Sequence, residues 1–167
     1  MNFKCYDVVE IQGKRYVVGE VISYQEFIAD KTIRYDLNDE NYKKELGVSK
    51  GAQSWTEYGL MPVNGKDKKW LTIVNGEKEY CTFSEPVLRS TPPERYRLHD
   101  KGVERVISVE GQSKARKGDK ADFKEYRMIQ KDKTYVFFME DWHGGLKDQA
   151  QGERIRLSDV HRRRDQA

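Results

Sequence analysis

The sequence predicts a mainly β fold: two sequence-related antiparallel meanders closing into one β-barrel or β-sandwich. Three observations predict it: short Val-, Ile- and Tyr-rich runs, Asn-Gly turn signals between them, and one pattern that occurs twice in the same order. Ser54-Trp55-Thr56-Glu57-Tyr58-Gly59-Leu60-Met61 returns as Asp122-Phe123-Lys124-Glu125-Tyr126-Arg127-Met128-Ile129. Trp70-Leu71-Thr72-Ile73-Val74 follows the first copy and Tyr135-Val136-Phe137-Phe138-Met139 the second, while Glu20-Val21-Ile22-Ser23 is answered upstream by Arg105-Val106-Ile107-Ser108. Three matches in one order favour duplication over chance.

Taken in order, Arg15 to Ser23 has strand composition. Asn64-Gly65 and Asn75-Gly76 suit type I′ turns, which need positive φ at both central positions. They delimit strands near 54–62, 68–74 and 77–83. In the second half, Lys131-Asp132 and Trp142-His143-Gly144-Gly145 delimit strands near 122–129, 133–140 and 153–157. The middle strands are apolar on both faces, which predicts burial on both sides. Within the insert at 24–53, Asn38-Asp39 starts and Gly47 ends a short helix with acids before bases. The pattern also admits a C-terminal helix from Ser158-Asp159, running into a basic tail at 158–167. Pro86, Pro92 and Pro93 mark the link between the halves, 1–85 and 95–157, and its shortness predicts one fused domain.

Composition narrows the class. A charged share of 35% is high, yet 10 Tyr, 6 Phe and 3 Trp are too many for a disordered chain. With 31 basic against 28 acidic residues, the net charge of +3 is too small to imply nucleic acid, although Lys114-Ala115-Arg116-Lys117 and His161-Arg162-Arg163-Arg164 are locally basic. No apolar run reaches the ~20 residues of a membrane helix, and the opening residues lack a secretory apolar stretch. A cytoplasmic location is therefore expected. Cys5 and Cys81 are read there as reduced thiols, with a bridge between them as the alternative.

Tyr6-Asp7-Val8-Val9, Gly13-Lys14-Arg15-Tyr16-Val17-Val18-Gly19, Trp55-Thr56-Glu57-Tyr58 and Lys69-Trp70-Leu71 together resemble the bacterial family labelled domain of unknown function 4178. The resemblance covers about the first 85 residues and, more faintly, the second half, as in a tandem pair. It implies a bacterial cytoplasmic β-domain, in a family often associated with membrane-stress or polyamine-related genes, and it assigns no catalytic residue.

Alternation along a strand puts Trp55, Glu57 and Gly59 on one face and Tyr58 and Leu60 on the other; Phe123, Glu125 and Arg127 oppose Tyr126 and Met128 in the same way. The Tyr-and-aliphatic face is the expected core, and the aromatic-and-Glu face a second layer or recognition surface. Glu57 and Glu125 converge on one cleft if the halves obey a twofold; otherwise each pairs across strands with a base such as Arg15 or Arg105. Gly59 either leaves a flat stacking platform beside Trp55 or marks a bulge. His143 sits in a Gly-rich turn without a partner fixed by spacing, and His99 and His161 form no metal pair with it, so no metal and no cofactor is expected.

The leading expectation is a non-catalytic binding or adaptor module for a protein or small molecule, whose contact residues are Trp55, Glu57, Tyr58, Trp70, Phe123, Glu125, Tyr126 and His143. A small hydrolase or lyase using Glu57 and Glu125 is the alternative, and a single-stranded nucleic-acid binder a further one.

Overall fold

The computed structural model describes residues 2–26 and 53–163. Ten strands form there: β1 (Val8–Ile11), β2 (Lys14–Glu26), β3 (Ser54–Pro62), β4 (Lys69–Val74), β5 (Tyr80–Pro86), β6 (Arg97–Gly111), β7 (Lys120–Gln130), β8 (Lys133–Trp142), β9 (Lys147–Arg156) and β10 (Val160–Arg163). All pairings are antiparallel, in the order β10-β1-β2-β3-β4-β5-β9-β8-β7-β6. An additional β2–β6 pairing, Glu20↔Gly111 through Glu26↔Glu104, closes eight of the strands into a barrel. The meanders β2–β5 and β6–β9 thus meet at two seams, β2–β6 and β5–β9, and closure leaves no open edge among the eight. Among the described residues no helix is long and apolar enough to cross a membrane.

The long strand β2 serves two interiors because its register shifts against β3. Val18 pairs with Leu60, but Glu20 pairs with Gly59, so the intervening Gly19 is an extra residue. Before the bulge, Tyr16 and Val18 join an outer core. After it, Glu20, Ile22, Tyr24 and Glu26 face the lumen. Without the bulge, strict alternation would put all six on one side.

The outer core lies on the far side of the β2–β5 wall from the lumen. Val18, Tyr58, Leu60, Leu71 and Cys81 come from the wall; Phe3, Val9, Ile11 and Val160 come from the N-terminal segment, β1 and β10, which cover it. Val9, Ile11, Leu60 and Leu71 are fully buried. Each such side chain stabilises the fold by roughly 1.5–3 kcal/mol relative to exposure. The middle strand β4 is apolar on both faces for this reason: Leu71 and Ile73 enter the outer core while Trp70 and Val74 line the lumen.

Several expectations change. The C-terminal segment is no helix: a single 3-10 turn, Leu157–Asp159, leads into β10. Burial of Val160 and pairing of β10 with β1 outweigh the helix-start signal at Ser158-Asp159, and Arg163 bonds Glu10 while Arg162 lies 5.2 Å from the Phe3 ring centre. Residues 160–163 are therefore part of the sheet. The helix expected at 38–47 lies outside the described residues. Strands expected at 77–83 and 153–157 occupy Tyr80–Pro86 and Lys147–Arg156. Both cysteines are free, and burial raises the Cys81 thiol to about 12.

The β5–β9 seam depends on Gly152, where a Cβ would stand 2.0 Å from the Phe83 carbonyl oxygen. Gly152→Ala is expected to destabilise the protein by about 1–3 kcal/mol. Gly19→Ala, whose Cβ would meet only a carbonyl oxygen at 3.9 Å, is expected to stay within about 1 kcal/mol. Urea unfolding monitored by circular dichroism measures both.

Candidate functional site

An eight-stranded barrel is wide enough either to be filled by side chains or to hold a small ligand. Here a cavity of about 1460 Å³ remains. All three tryptophans, Trp55, Trp70 and Trp142, line it. One wall is a chain of rings. Tyr24 stacks on Trp55 with centres 5.8 Å apart, Trp55 meets Phe123 edge-on at 5.5 Å, and Phe123 stacks near Phe138 at 6.1 Å. Strand register explains the grouping: Tyr24 is directly opposite Trp55, and Glu125 opposite Phe138. The connections holding Ser113–Ala115 and His143–Gly144 border the cavity as well.

Acidic side chains enter the same space. The Tyr24 hydroxyl donates to Glu57 Oε1 at 3.4 Å. Glu57, Glu140 and Glu104 all lie close enough to raise the Tyr24 pKa, although burial is the larger cause. Glu104 is fully buried, and both of its oxygens, with Oε2 of Glu140, have no protein donor among the described residues. These two carboxyls face each other, so they can bond only when one of them holds a proton. Burial pushes Glu104 up to about 8. It also holds Glu57 and Glu140 well above the usual carboxylate range, helped by Glu140 and Glu20 at Glu57 and by Glu104 at Glu140.

The basic groups nearby have partners of their own. Lys68 pairs with Glu20 and sits 4.0 Å from the Trp70 ring centre. Arg127 Nε reaches Glu125 Oε2 at 2.8 Å, and Arg154 reaches Glu77 at 2.7 Å.

Of the residues expected to form a site, Trp55, Glu57, Trp70, Phe123, Glu125 and His143 border this one cavity. Tyr58 and Tyr126 do not. Tyr58 belongs to the outer core, where its hydroxyl accepts from the Phe3 amide at 3.4 Å, and Tyr126 packs near Phe137 with ring centres 6.5 Å apart. The aromatic-and-Glu face is thus the inner face of a barrel rather than an outer surface. The partner of Glu125 is Arg127 on its own strand, with His99 at 3.8 Å, in place of the expected Arg15 or Arg105. Gly59 gives space to Glu20, since a Cβ there would lie 2.5 Å from Glu20 Cγ. His143 Nε2 stands 3.3 Å from Asp122 Oδ1, a partner that spacing did not reveal.

Sequence reasoning missed Tyr24, Glu104 and Glu140. Glu140 shares alternation with Val136, Phe138 and Trp142, a signal that could have found it. Glu104 lies in Val103-Glu104-Arg105, where nothing distinguishes it from a solvated charge.

A family model described as a domain of unknown function, DUF4178, matches residues 5–157, running through both meanders in one match. The chain belongs to that family. None of the curated proteins and none of the solved structures compared with it is significantly similar. The DUF4178 domain is therefore seen here as a closed barrel with an acidic, aromatic lumen.

The raised carboxyls make stability depend on pH. Glu104 takes its proton at about 8 in the fold, against an ordinary value of 4.5. Between those values the folded state binds more protons than the unfolded state. Its contribution is full below 4.5 and is lost as pH rises through about 8, with Glu57 and Glu140 shifted in the same direction. The melting temperature is expected to fall over that window. Glu104→Gln, which keeps the shape of the protonated acid, should remove ~2–4 °C or more of the fall, equivalent to about 1 kcal/mol. Scanning calorimetry at a series of pH values checks this.

Proposed function

We propose that this DUF4178 protein is a non-catalytic binding module that takes a small molecule with substantial apolar surface into its barrel. The open cavity, about 1460 Å³ and walled by Tyr24, Trp55, Phe123 and Phe138, carries this reading. Ligand sites are concave, mostly apolar and furnished with a few polar groups, and this cavity exceeds the roughly 300–1,000 Å³ usual for them. The bacterial cytoplasm is its compartment in this reading, as the resemblance and the composition suggest.

Binding is favoured over hydrolysis or lyase chemistry by Glu57 and Glu125 because Arg127 engages the Glu125 carboxylate. It is favoured over single-stranded nucleic acid because the ring wall stands beside carboxyl groups, which would oppose a phosphate chain. The uncharged dye N-phenyl-1-naphthylamine tests the reading, since three lumen tryptophans report on it by energy transfer. Saturable binding at one site per chain is expected, weakened about 10-fold or more by Trp55→Ala, a loss of roughly 1.4 kcal/mol. Dye uptake that never saturates, or that Trp55→Ala leaves unchanged, would overturn it.

A further inference from the structure

We infer that the lumen selects an organic cation, an ammonium group carried on an apolar body, because the carboxyls of Glu57 and Glu140 line it beside the Tyr24–Trp55–Phe123 ring wall, with Glu104 buried against Glu140. This rests on the reading of the lumen as a ligand site and names the chemistry that fills it.

Charge balance points the same way. Lys68 faces Glu20, Arg127 faces Glu125 and Arg154 faces Glu77, so these bases are already committed, while Lys114 is a further base on the cavity border. Glu104 has 0% exposure and faces the Glu140 carboxyl, which can donate to it only while protonated; Glu140 itself lines the cavity, and its Oε2 has no other protein donor among the described residues. A buried carboxyl in that position either keeps its proton or accepts a cation from outside the chain. Ring faces supply the second half of the recognition, because their negative quadrupole attracts alkylammonium groups most strongly where water is excluded. A metal ion fits less well. No group of three His, Cys, Asp or Glu with metal-holding geometry exists among the described residues, and rings give a hard cation no oxygen ligands. An anion would meet the carboxyls directly.

Occupancy by a cation favours the ionised carboxyls, so binding releases protons and strengthens as pH rises. The groups facing the cluster are Tyr24, Glu20 and Glu26 from β2, Asp148 from β9, and Lys68 ahead of β4. All but Lys68 are acidic or phenolic, and Lys68 is paired with Glu20.

Three matched probes separate the possibilities in the full chain: phenyltrimethylammonium, its neutral carbon isostere tert-butylbenzene, and the anion 4-tert-butylbenzoate. Tryptophan fluorescence and calorimetry give each affinity. The expected result is at least about 10-fold tighter binding of phenyltrimethylammonium than of tert-butylbenzene at about pH 8, with a preference that grows from about pH 6 to about pH 9. The probe's charge is permanent, so that change belongs to the protein. Glu57→Gln is expected to reduce the preference for phenyltrimethylammonium over tert-butylbenzene by about threefold or more. If Glu57→Gln does not fold, the pH dependence of the unaltered chain decides. Equal or tighter binding of the neutral or anionic probe overturns the inference while the lumen stands as a binding site. Failure of all three probes where N-phenyl-1-naphthylamine still binds also overturns it, and failure of that dye as well removes the ligand site itself.

Discussion

The extra residue at Gly19 divides β2 between two environments, and the arrangement of the barrel follows from that division. Ahead of it, Tyr16 and Val18 anchor the wall to the layer made by β1 and β10. Beyond it, Glu20, Ile22 and Tyr24 turn inward and pair with both β3 and β6, and Glu26 pairs with β6. One strand thereby links the outer core to the closing seam. The seam needs close backbone approach: Gly111 has φ +80, and a Cβ on it would lie 2.2 Å from the Gly19 carbonyl oxygen. Bulge and closure are therefore coupled through a single contact region, with Cys5 Sγ packed beside it.

Two cores divide the tasks of stability and chemistry. The outer one is almost wholly aliphatic and aromatic, with Val9, Ile11, Val18, Leu60 and Leu71 fully buried. It supplies cohesion without using the lumen. The inner one carries rings and carboxyls around open space, an arrangement that forfeits packing contacts and desolvates acids. Such losses are sustainable only when another part of the fold supplies the stability. The segments before and after the barrel, contributing Phe3 and Val160, provide it here.

The meander strands were largely legible because alternation and turn residues mark strand ends, although neither Asn-Gly pair forms the type I′ turn it suits: of Asn64, Gly65, Asn75 and Gly76 only Gly76 has positive φ. Ser54–Pro62 matches its expected bounds, and Lys69–Val74 begins one residue later than expected. The polar strand Lys147–Arg156 was only partly visible. Its sequence, Lys-Asp-Gln-Ala-Gln-Gly-Glu-Arg-Ile-Arg, has little periodicity, and its place is set by pairing with β5 and β8 on either side. β10 was illegible for a related reason: four residues adopt a strand only because β1 offers an edge and the outer core a place for Val160. Alternation grouped Trp55 with Glu57 and Phe123 with Glu125 correctly, but inside and outside are properties of closure. For that reason the face read as a recognition surface became a lumen, and the Tyr58 and Tyr126 faces became its outer side.

The contrast between Glu57 and Glu125 shows how small differences at corresponding strand positions make a lumen polar in one direction. Each follows an aromatic residue by two positions and points inward. Two residues further on, β7 has Arg127, which neutralises Glu125 at 2.8 Å. β3 has Gly59 there, which offers no charge, and the space it leaves admits Glu20, a second acid. Glu57 is left with a tyrosine hydroxyl at 3.4 Å and two acidic neighbours, Glu140 and Glu20, against the weaker opposing influence of Lys68. An ion pair on one side and a cluster of carboxyls without a paired base on the other make the two sides of the cavity chemically unlike, and the difference traces to one glycine in place of one arginine.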